Sequence, residues 1–290
     1  MYLYFAGSLV GFENQVHSWG VRNRLLTFAD RDGWAKDAFA VWIENPEVVE
    51  GRVFLDSGAF SAWNREAIIN IKQYCRYIQR YDSRLVAYAN LDVIGNWRGS
   101  ARNFDIMKSE GLSPMAVFHR GSPWSELHRL AGLTDYLALG GLVGGGKSVT
   151  AGNIQLYLDQ CWAHLREHWP IRVHVFGIIA QWVLERYPWF SADSSTALVS
   201  AGMGRVQRWT GGHIVTDNWI NLARKTLNGR LVDGVAIGRA KGGSAHLGRR
   251  CYNVQCQLAF ERHINRLWLD RGVSWDSQNV YTGTLKGAAA

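Results

Sequence analysis

The sequence predicts an α/β fold, a TIM-like (β/α)8 barrel with a basic helical extension at its C-terminal side. Three observations carry that expectation: eight short apolar runs of strand composition, amphipathic intervals between several of them, and a glycine or polar residue closing most of the runs. In chain order the runs are Leu3 to Ala6, Leu25 to Phe28, Val53 to Leu55, Leu85 to Leu91, Met115 to Phe118, Tyr136 to Leu139, Val173 to Phe176 and Trp189 to Ala192. Helical periodicity is clearest over Glu66 to Arg80, Arg102 to Glu110 and Ile154 to His168. The interval from Phe176 to Trp189 has room for only one brief helix. Beyond the eighth run come glycine-rich turns, a helix expected to be capped by Thr216, a strand-like Leu231 to Ile237, and a longer helix opening near Ser244. That last helix sets Leu247, Val254, Leu258 and Leu267 among Arg249, Arg250, Arg262 and Arg266, so one face is expected to pack and another to present positive charge. The chain thus divides into a barrel core over 1–200, an extension over 201–272 packed on it, and a flexible tail over 273–290.

A length of 290 residues suits a single barrel of roughly 250 residues. With 47% hydrophobic and 19% charged residues the composition supports a large core and excludes a disordered chain. No apolar run approaches the roughly 18 residues of a membrane span, and MYLYFAG lacks the basic start of an export signal. The expected location is the cytoplasm, a host cytoplasm if the source is viral. Cys75, Cys161, Cys251 and Cys256 are too few for a disulfide scaffold in so long a chain and fit a reducing compartment. Cys251, Cys256 and His263 raise a zinc reading, but the spacing is not a tight C-x2-C knuckle. Buried thiols on a helix are the preferred reading, with no cofactor expected.

Charge is unevenly placed. The formal net charge is +8; residues 1–199 hold 19 basic and 19 acidic side chains, whereas 200–271 hold 12 basic and 4 acidic. A basic lobe beside a neutral core is the footprint of a polyanion binder, with nucleic acid the expected partner and Arg205, Arg208, Arg239, Lys241, Arg249 and Arg250 the candidate contacts. A basic surface with no catalytic role, a simple nucleic-acid-binding module, is the plain alternative.

In a parallel α/β barrel the residues just past the strands converge on one rim although they are far apart in sequence. Here they are Asp56, Asn90, Asp92, His119, Arg120, Gly140, Gly141, Gly177 and Asp193. Singly, Asp56 and Asp193 read as helix N-caps, and Asp92 as the end of a turn. Jointly, three carboxylates on one rim point to a site. A rival lies at Gly141-Leu142-Val143-Gly144-Gly145-Gly146-Lys147-Ser148, which matches the phosphate-binding pattern G-x-x-x-x-G-K-[ST] and suggests an NTPase. That reading lacks a good downstream strand ending in a magnesium-binding carboxylate, and it leaves the upstream rim residues unexplained.

Several segments together resemble the tRNA-guanine transglycosylase superfamily, whose members exchange guanine in a nucleic acid for a 7-deazaguanine. Leu55-Asp56-Ser57-Gly58-Ala59-Phe60 resembles the family's DSGGF/Y strand end, and Ala138-Leu139-Gly140-Gly141-Leu142 its ALGGL segment. Val175-Phe176-Gly177-Ile178 is similar to its MGVG turn, and Ala192-Asp193-Ser194-Ser195 to the strand that carries the nucleophilic Asp. The matches keep the family order and cover residues 53–196. The C-x-C-x2-C zinc motif of the tRNA enzymes is absent, and no RNA-binding appendage is recognisable, which leans toward the phage and bacterial branch that modifies DNA; action on tRNA is the alternative.

The resemblance implies base exchange through a covalent sugar intermediate, with Asp193 attacking C1′ and Asp56 moving protons, which requires Asp56 to be the weaker acid. It also implies that Asp92 accepts from the guanine N1 and N2 groups, that backbone around Gly140, Gly141 and Leu142 meets O6 and the 7-substituent, and that Phe60 and Phe176 sandwich the ring. Ser57 and Gly58 would turn the chain beneath the substrate, Gly177 would line the pocket, and His119 with Arg120 would occupy the place of a base-contacting Gln. The incoming free base would be a 7-deazaguanine such as 7-cyano-7-deazaguanine, and the target base would leave its stack to enter the pocket. Trp63, Trp97 and Trp124 are open between core packing and base stacking.

Overall fold

The computed structural model describes residues 1–45, 51–142, 150–218 and 244–275. Each of the eight expected runs overlaps a strand, with Trp189 and Phe190 lying before the last and Ala89 to Leu91 beyond the fourth: β1 (Tyr2–Ala6), β2 (Asn23–Thr27), β3 (Arg52–Asp56), β4 (Leu85–Tyr88), β5 (Ala116–His119), β6 (Tyr136–Gly140), β7 (Arg172–Val175) and β8 (Ser191–Ser194). They form one parallel sheet in the order β4-β3-β2-β1-β8-β7-β6-β5. Just after β4 and just before β5, an isolated parallel bridge links Ala89 and Met115, where Asn90 N–H donates to Met115 O at 2.9 Å and Met115 N–H to Tyr88 O at 2.8 Å.

The alternation of side chains along each strand sorts the apolar residues into two layers. Tyr4, Leu25, Phe54, Ala89, Val117 and Ala138 form one cluster inside the curve of the sheet. Leu3, Phe5, Leu26, Leu55, Phe118 and Leu139, one residue out of phase, join the larger cluster under the helices. The rings of Phe54 on β3 and His174 on β7 lie 4.9 Å apart although three strands separate β3 from β7 in the sheet. At about 4.8 Å per strand a flat sheet would put them roughly 19 Å apart, so the contact requires the sheet to curl strongly on itself.

The helices among the described residues are α1 (Glu13–Ser18), α2 (Lys36–Phe39), α3 (Ala59–Asn64), α4 (Ile71–Tyr81), α5 (Trp97–Ser109), α6 (Trp124–Leu133), α7 (Ala151–Leu165), α8 (Gln181–Arg186), α9 (Thr196–Gly202) and α10 (Ser244–Asp270). Side-chain caps start three of them: Asn70 accepts from Gln73 N–H on α4, Asn96 from Gly99 N–H on α5, and Thr150 from Asn153 N–H on α7. The expected helix over Glu66 to Arg80 is therefore shorter, because Asn70 begins α4 and residues 65–70 form the link from α3. On α7 Tyr157, Leu158, Cys161, Trp162 and Leu165 recur at helical spacing and are buried against the sheet.

The expected helix capped by Thr216 is absent: Thr216 lies in β10 (Ile214–Asn218), which pairs antiparallel with β9 (Arg205–Trp209). Gly211, in the left-handed region at φ 87°, makes the reversal, and β-branched Ile214, Val215 and Thr216 favour the extended strand. Helix α10 packs on this hairpin and on α9, burying Val254, Phe260, Ile264 and Trp268, while Arg262 and Arg266 are exposed. Of the apolar residues expected on its packed face, Val254 is fully buried and Leu247, Leu258 and Leu267 are only partly so. Two polar residues on α10 join the interface: Asn253 accepts from Gln207 N–H at 2.7 Å, and Gln257 donates to Gln207 Oε1 at 2.8 Å. The expected strand Leu231 to Ile237 and most of the tail fall outside the described residues, and no helix among those described is long and apolar enough to cross a membrane.

The turn that ends β3 positions Asp56, and it depends on Gly58. Its φ of 82° is left-handed, and a Cβ there would stand 2.6 Å from Ala29 Cβ and 2.7 Å from Thr27 Cγ2. Gly58→Ala is expected to lose about 1–3 kcal/mol from backbone strain before the clash is added. Its Tm should fall by at least about 2 °C in a thermal melt; an unchanged Tm would show that the turn is not so constrained.

Candidate functional site

The C-terminal strand ends bring Asp56, Asp92, His119, Gly140, Gly177 and Asp193 to one rim, as expected for a parallel sheet. Asp56 is the last residue of β3 and is half-buried; its Oδ2 accepts from Gly58 N–H at 3.1 Å. Burial, followed by the charges of Asp193 and Asp92, pushes its pKa from 3.8 up to about 7. Asp193 and Asp92 are therefore each within electrostatic reach of Asp56. The bond to Gly58 gives Asp56 the local turn role that its sequence also suggested, in addition to its place on the rim.

Asp193 is buried on β8 and does not cap the helix that follows it. Its Oδ1 accepts from Gly177 N–H at 2.7 Å and from His174 Nε2 at 3.2 Å, and neither donor engages Oδ2. His174, on β7, was not among the candidates drawn from the sequence. It is completely buried, which pulls its pKa below the ordinary histidine value against the raising effect of Asp193. Its Nδ1 lies 2.7 Å from Ser191 Oγ, and Ser191 Oγ is 2.7 Å from the Tyr136 hydroxyl. The available signal was phase: Tyr136, His174 and Ser191 share the inward alternation with Asp193.

Asp92 follows β4 and pairs through Oδ2 with His119 Nε2 at 2.8 Å, while its buried Oδ1 has no partner among the described residues. Burial lowers the His119 pKa, but the charge and hydrogen bond of Asp92, with the charge of Asp56, outweigh it and raise the value overall. His119 also rests on Gly140, where a Cβ would come within 3.0 Å of His119 Cε1. Arg120 is exposed beside it, its backbone near Gly141. Leu142 is buried, and the phosphate-loop pattern that continues from it lies over 143–148, outside the described residues. Asn90, a member of the expected constellation, is buried and uses Nδ2 to hold Ser100 O at 2.9 Å on α5.

The aromatic candidates divide. Phe60 on α3 is 42% exposed and its ring lies 6.2 Å from that of Trp63, itself 57% exposed. Phe176 is half-buried and packs edge-on against His174 at 4.6 Å. Trp124 belongs to the packing under α6 and α7, stacked with His164 and Tyr157, and Trp97 begins α5 with Arg98 over its ring. Ser57 is buried at the base of the Asp56 turn.

The basic candidates are reassigned in part. Arg208 is paired with Asp217 across the β9–β10 hairpin at 2.8 Å. Arg249 and Arg250 donate from Nε to Ala201 O and Leu198 O, backbone carbonyls of α9. These three side chains are thus engaged within the fold, whereas Arg205 is exposed and Arg239 and Lys241 lie outside the described residues. Cys251, Cys256 and His263 lie along α10; Cys256 is buried, with its thiol pushed up to about 12, and His263 meets Glu185 Oε1 at 3.2 Å. Among the described residues no three His, Cys, Asp or Glu side chains assemble into a metal-holding group.

No protein-family model matches the chain, and no curated protein matches it significantly.

The raised Asp56 pKa has a stability consequence. The unfolded chain releases this proton near 3.8 and the folded one near 7, so the folded state holds it longer and stability falls as pH rises between those values. Asp56→Asn removes that loss. Thermal melts should show the variant gaining Tm over the wild type from pH 4 to pH 8; a difference independent of pH would contradict the shift.

Proposed function

We propose that the protein is a base-exchange transglycosylase that replaces guanine in DNA with a 7-deazaguanine, using the curled sheet as a closed (β/α)8 barrel with its site at the carboxyl rim. The observation that carries this reading is the convergence of Asp56, Asp92 and Asp193 with one carboxyl pushed toward neutrality. A proton-holding acid beside a second carboxylate is what a two-carboxylate glycosyl transfer needs.

In this reading Asp193 Oδ2 gives an electron pair to C1′ of the target nucleotide. The C1′–N9 bond breaks, its pair passes to the purine, and Asp56 delivers a proton to the departing guanine. The incoming deazaguanine then returns a proton to Asp56 as its ring nitrogen attacks C1′ and releases Asp193 as a carboxylate. Atoms, charge and protons balance without an external oxidant or nucleotide. The unpartnered Oδ1 of Asp92 supports the assignment of a purine edge, because a buried acceptor with no donor costs about 1–3 kcal/mol until a ligand supplies one. Adenine, with an acceptor at N1, would leave it unpaired.

The exposed Phe60–Trp63 pair beside Asp56 offers a face for a base drawn from the stack. Exposed Arg120 and Arg205 would meet phosphates, in place of the arginines engaged within the fold, and this predicts weaker binding at higher salt.

The test is incorporation of radiolabelled 7-cyano-7-deazaguanine into denatured DNA, duplex DNA and tRNA without ATP. Label should enter DNA, and Asp193→Ala should lower incorporation by at least about 1,000-fold while DNA retention on filters persists. Label entering tRNA alone would assign RNA as the substrate, retention without incorporation would leave a binding module, and a strict ATP requirement would favour the phosphate-loop reading.

A further inference from the structure

Asp193 sits at the end of a buried polar chain that runs down the inner face of the sheet through His174, Ser191 and Tyr136. We infer that His174 is a positioning residue for Asp193, held in one tautomer by Ser191 and Tyr136 so that a neutral N–H orients the carboxylate and leaves its other oxygen for the sugar. This rests on the transglycosylase reading for its chemical role, although the tautomer itself follows from the hydrogen bonds.

The direction of each bond is determined by the groups at the two ends. An ionised Asp193 only accepts, so His174 Nε2 must carry the hydrogen. With His174 neutral, Nδ1 is then an acceptor and Ser191 must donate to it. Ser191 has given its only hydrogen, so at its other contact it accepts from the Tyr136 hydroxyl. Each side-chain hydrogen of the chain is donated once, at 2.7, 2.7 and 3.2 Å. His174 and Ser191 are both fully buried. His174 is further packed edge-on against Phe54 at 4.9 Å and Phe176 at 4.6 Å.

Neutrality is the useful property. A buried imidazolium would pair strongly with the free carboxylate and then be left with an uncompensated charge once Asp193 became a neutral sugar ester. A neutral donor interacts with both forms and so favours the carboxylate less. Because His174 and Gly177 both address Oδ1, the lone pairs of Oδ2 remain available for C1′, and Oδ1 becomes the carbonyl of the ester with its donors still in place. Burial, which pulls the His174 pKa down, supports the neutral state.

The decisive experiment combines nitrogen-15 NMR of the histidine side chains with single-turnover exchange of labelled 7-cyano-7-deazaguanine into DNA. In the wild type His174 should show the Nε2–H tautomer at neutral pH, and Ser191→Ala should mix the tautomers and lower the exchange rate by about 10- to 100-fold with KM unchanged. His174→Phe, which removes the donor and retains a ring, should fall at least as far. His174→Gln, whose amide can donate to Asp193 and accept from Ser191, should recover most of the loss. A folded His174→Phe variant with the wild-type rate, or a wild-type His174 found protonated or as the Nδ1–H tautomer, would overturn the inference. If His174→Phe does not fold, Ser191→Ala decides, an unchanged rate overturning the inference. If the wild type exchanges no base, the transglycosylase reading and the catalytic role fall together, while the NMR separately decides whether the tautomer is held as inferred.

Discussion

Three carboxylates held on one poorly solvated rim constrain the rest of the molecule. Charges of one sign in a medium that screens weakly cannot all be present at low cost, so one of them must retain a proton. Asp56 takes that role, its pKa raised to about 7 by burial and then by its neighbours Asp193 and Asp92. Around it, the other two are each secured differently: Asp92 by His119 at 2.8 Å, and Asp193 by Gly177 and His174. The rim therefore holds a weak acid, a carboxylate with one oxygen tied back, and a carboxylate with an acceptor left open.

The curl of the sheet makes that arrangement possible. Parallel strands deliver every strand end to the same side, and alternation sends one residue in two toward the interior. Most interior positions are apolar, including Leu25, Phe54, Val117 and Ala138. The polar ones are tolerated because they bond to one another in series, since a buried polar group costs free energy only when its partners are missing. Tyr136, Ser191 and His174 meet that condition before the chain reaches Asp193.

Much of the architecture was legible in the sequence, because each strand is a run of apolar residues flanked by turn-forming or polar ones. Val53 to Leu55 followed by Asp56-Ser57-Gly58 is an example, and its strand, turn and carboxylate lie where the pattern put them. The hairpin β9–β10 was missed, since Thr216 is an acceptable helix cap by residue type and outweighed the β-branched run Ile214 to Thr216 until the pairing with β9 settled the segment as a strand. Arginine composition likewise could not separate a side chain that meets solvent from Arg249 and Arg250, which donate to backbone carbonyls of α9. His174 went unnoticed because a lone histidine between two valines reads as core; its role emerges only when β7 lies beside β8 and brings it to Asp193.

The account stands or falls on a covalent bond from Asp193 to a sugar. Incubating the protein with guanine-containing DNA in the absence of any acceptor base, then denaturing, digesting with nuclease and protease, and mapping adducts by mass spectrometry reads that bond directly. The account predicts a deoxyribose adduct lacking its guanine, on the peptide containing Asp193. An adduct on Asp56, or base exchange that proceeds with no adduct on either carboxylate, would contradict it.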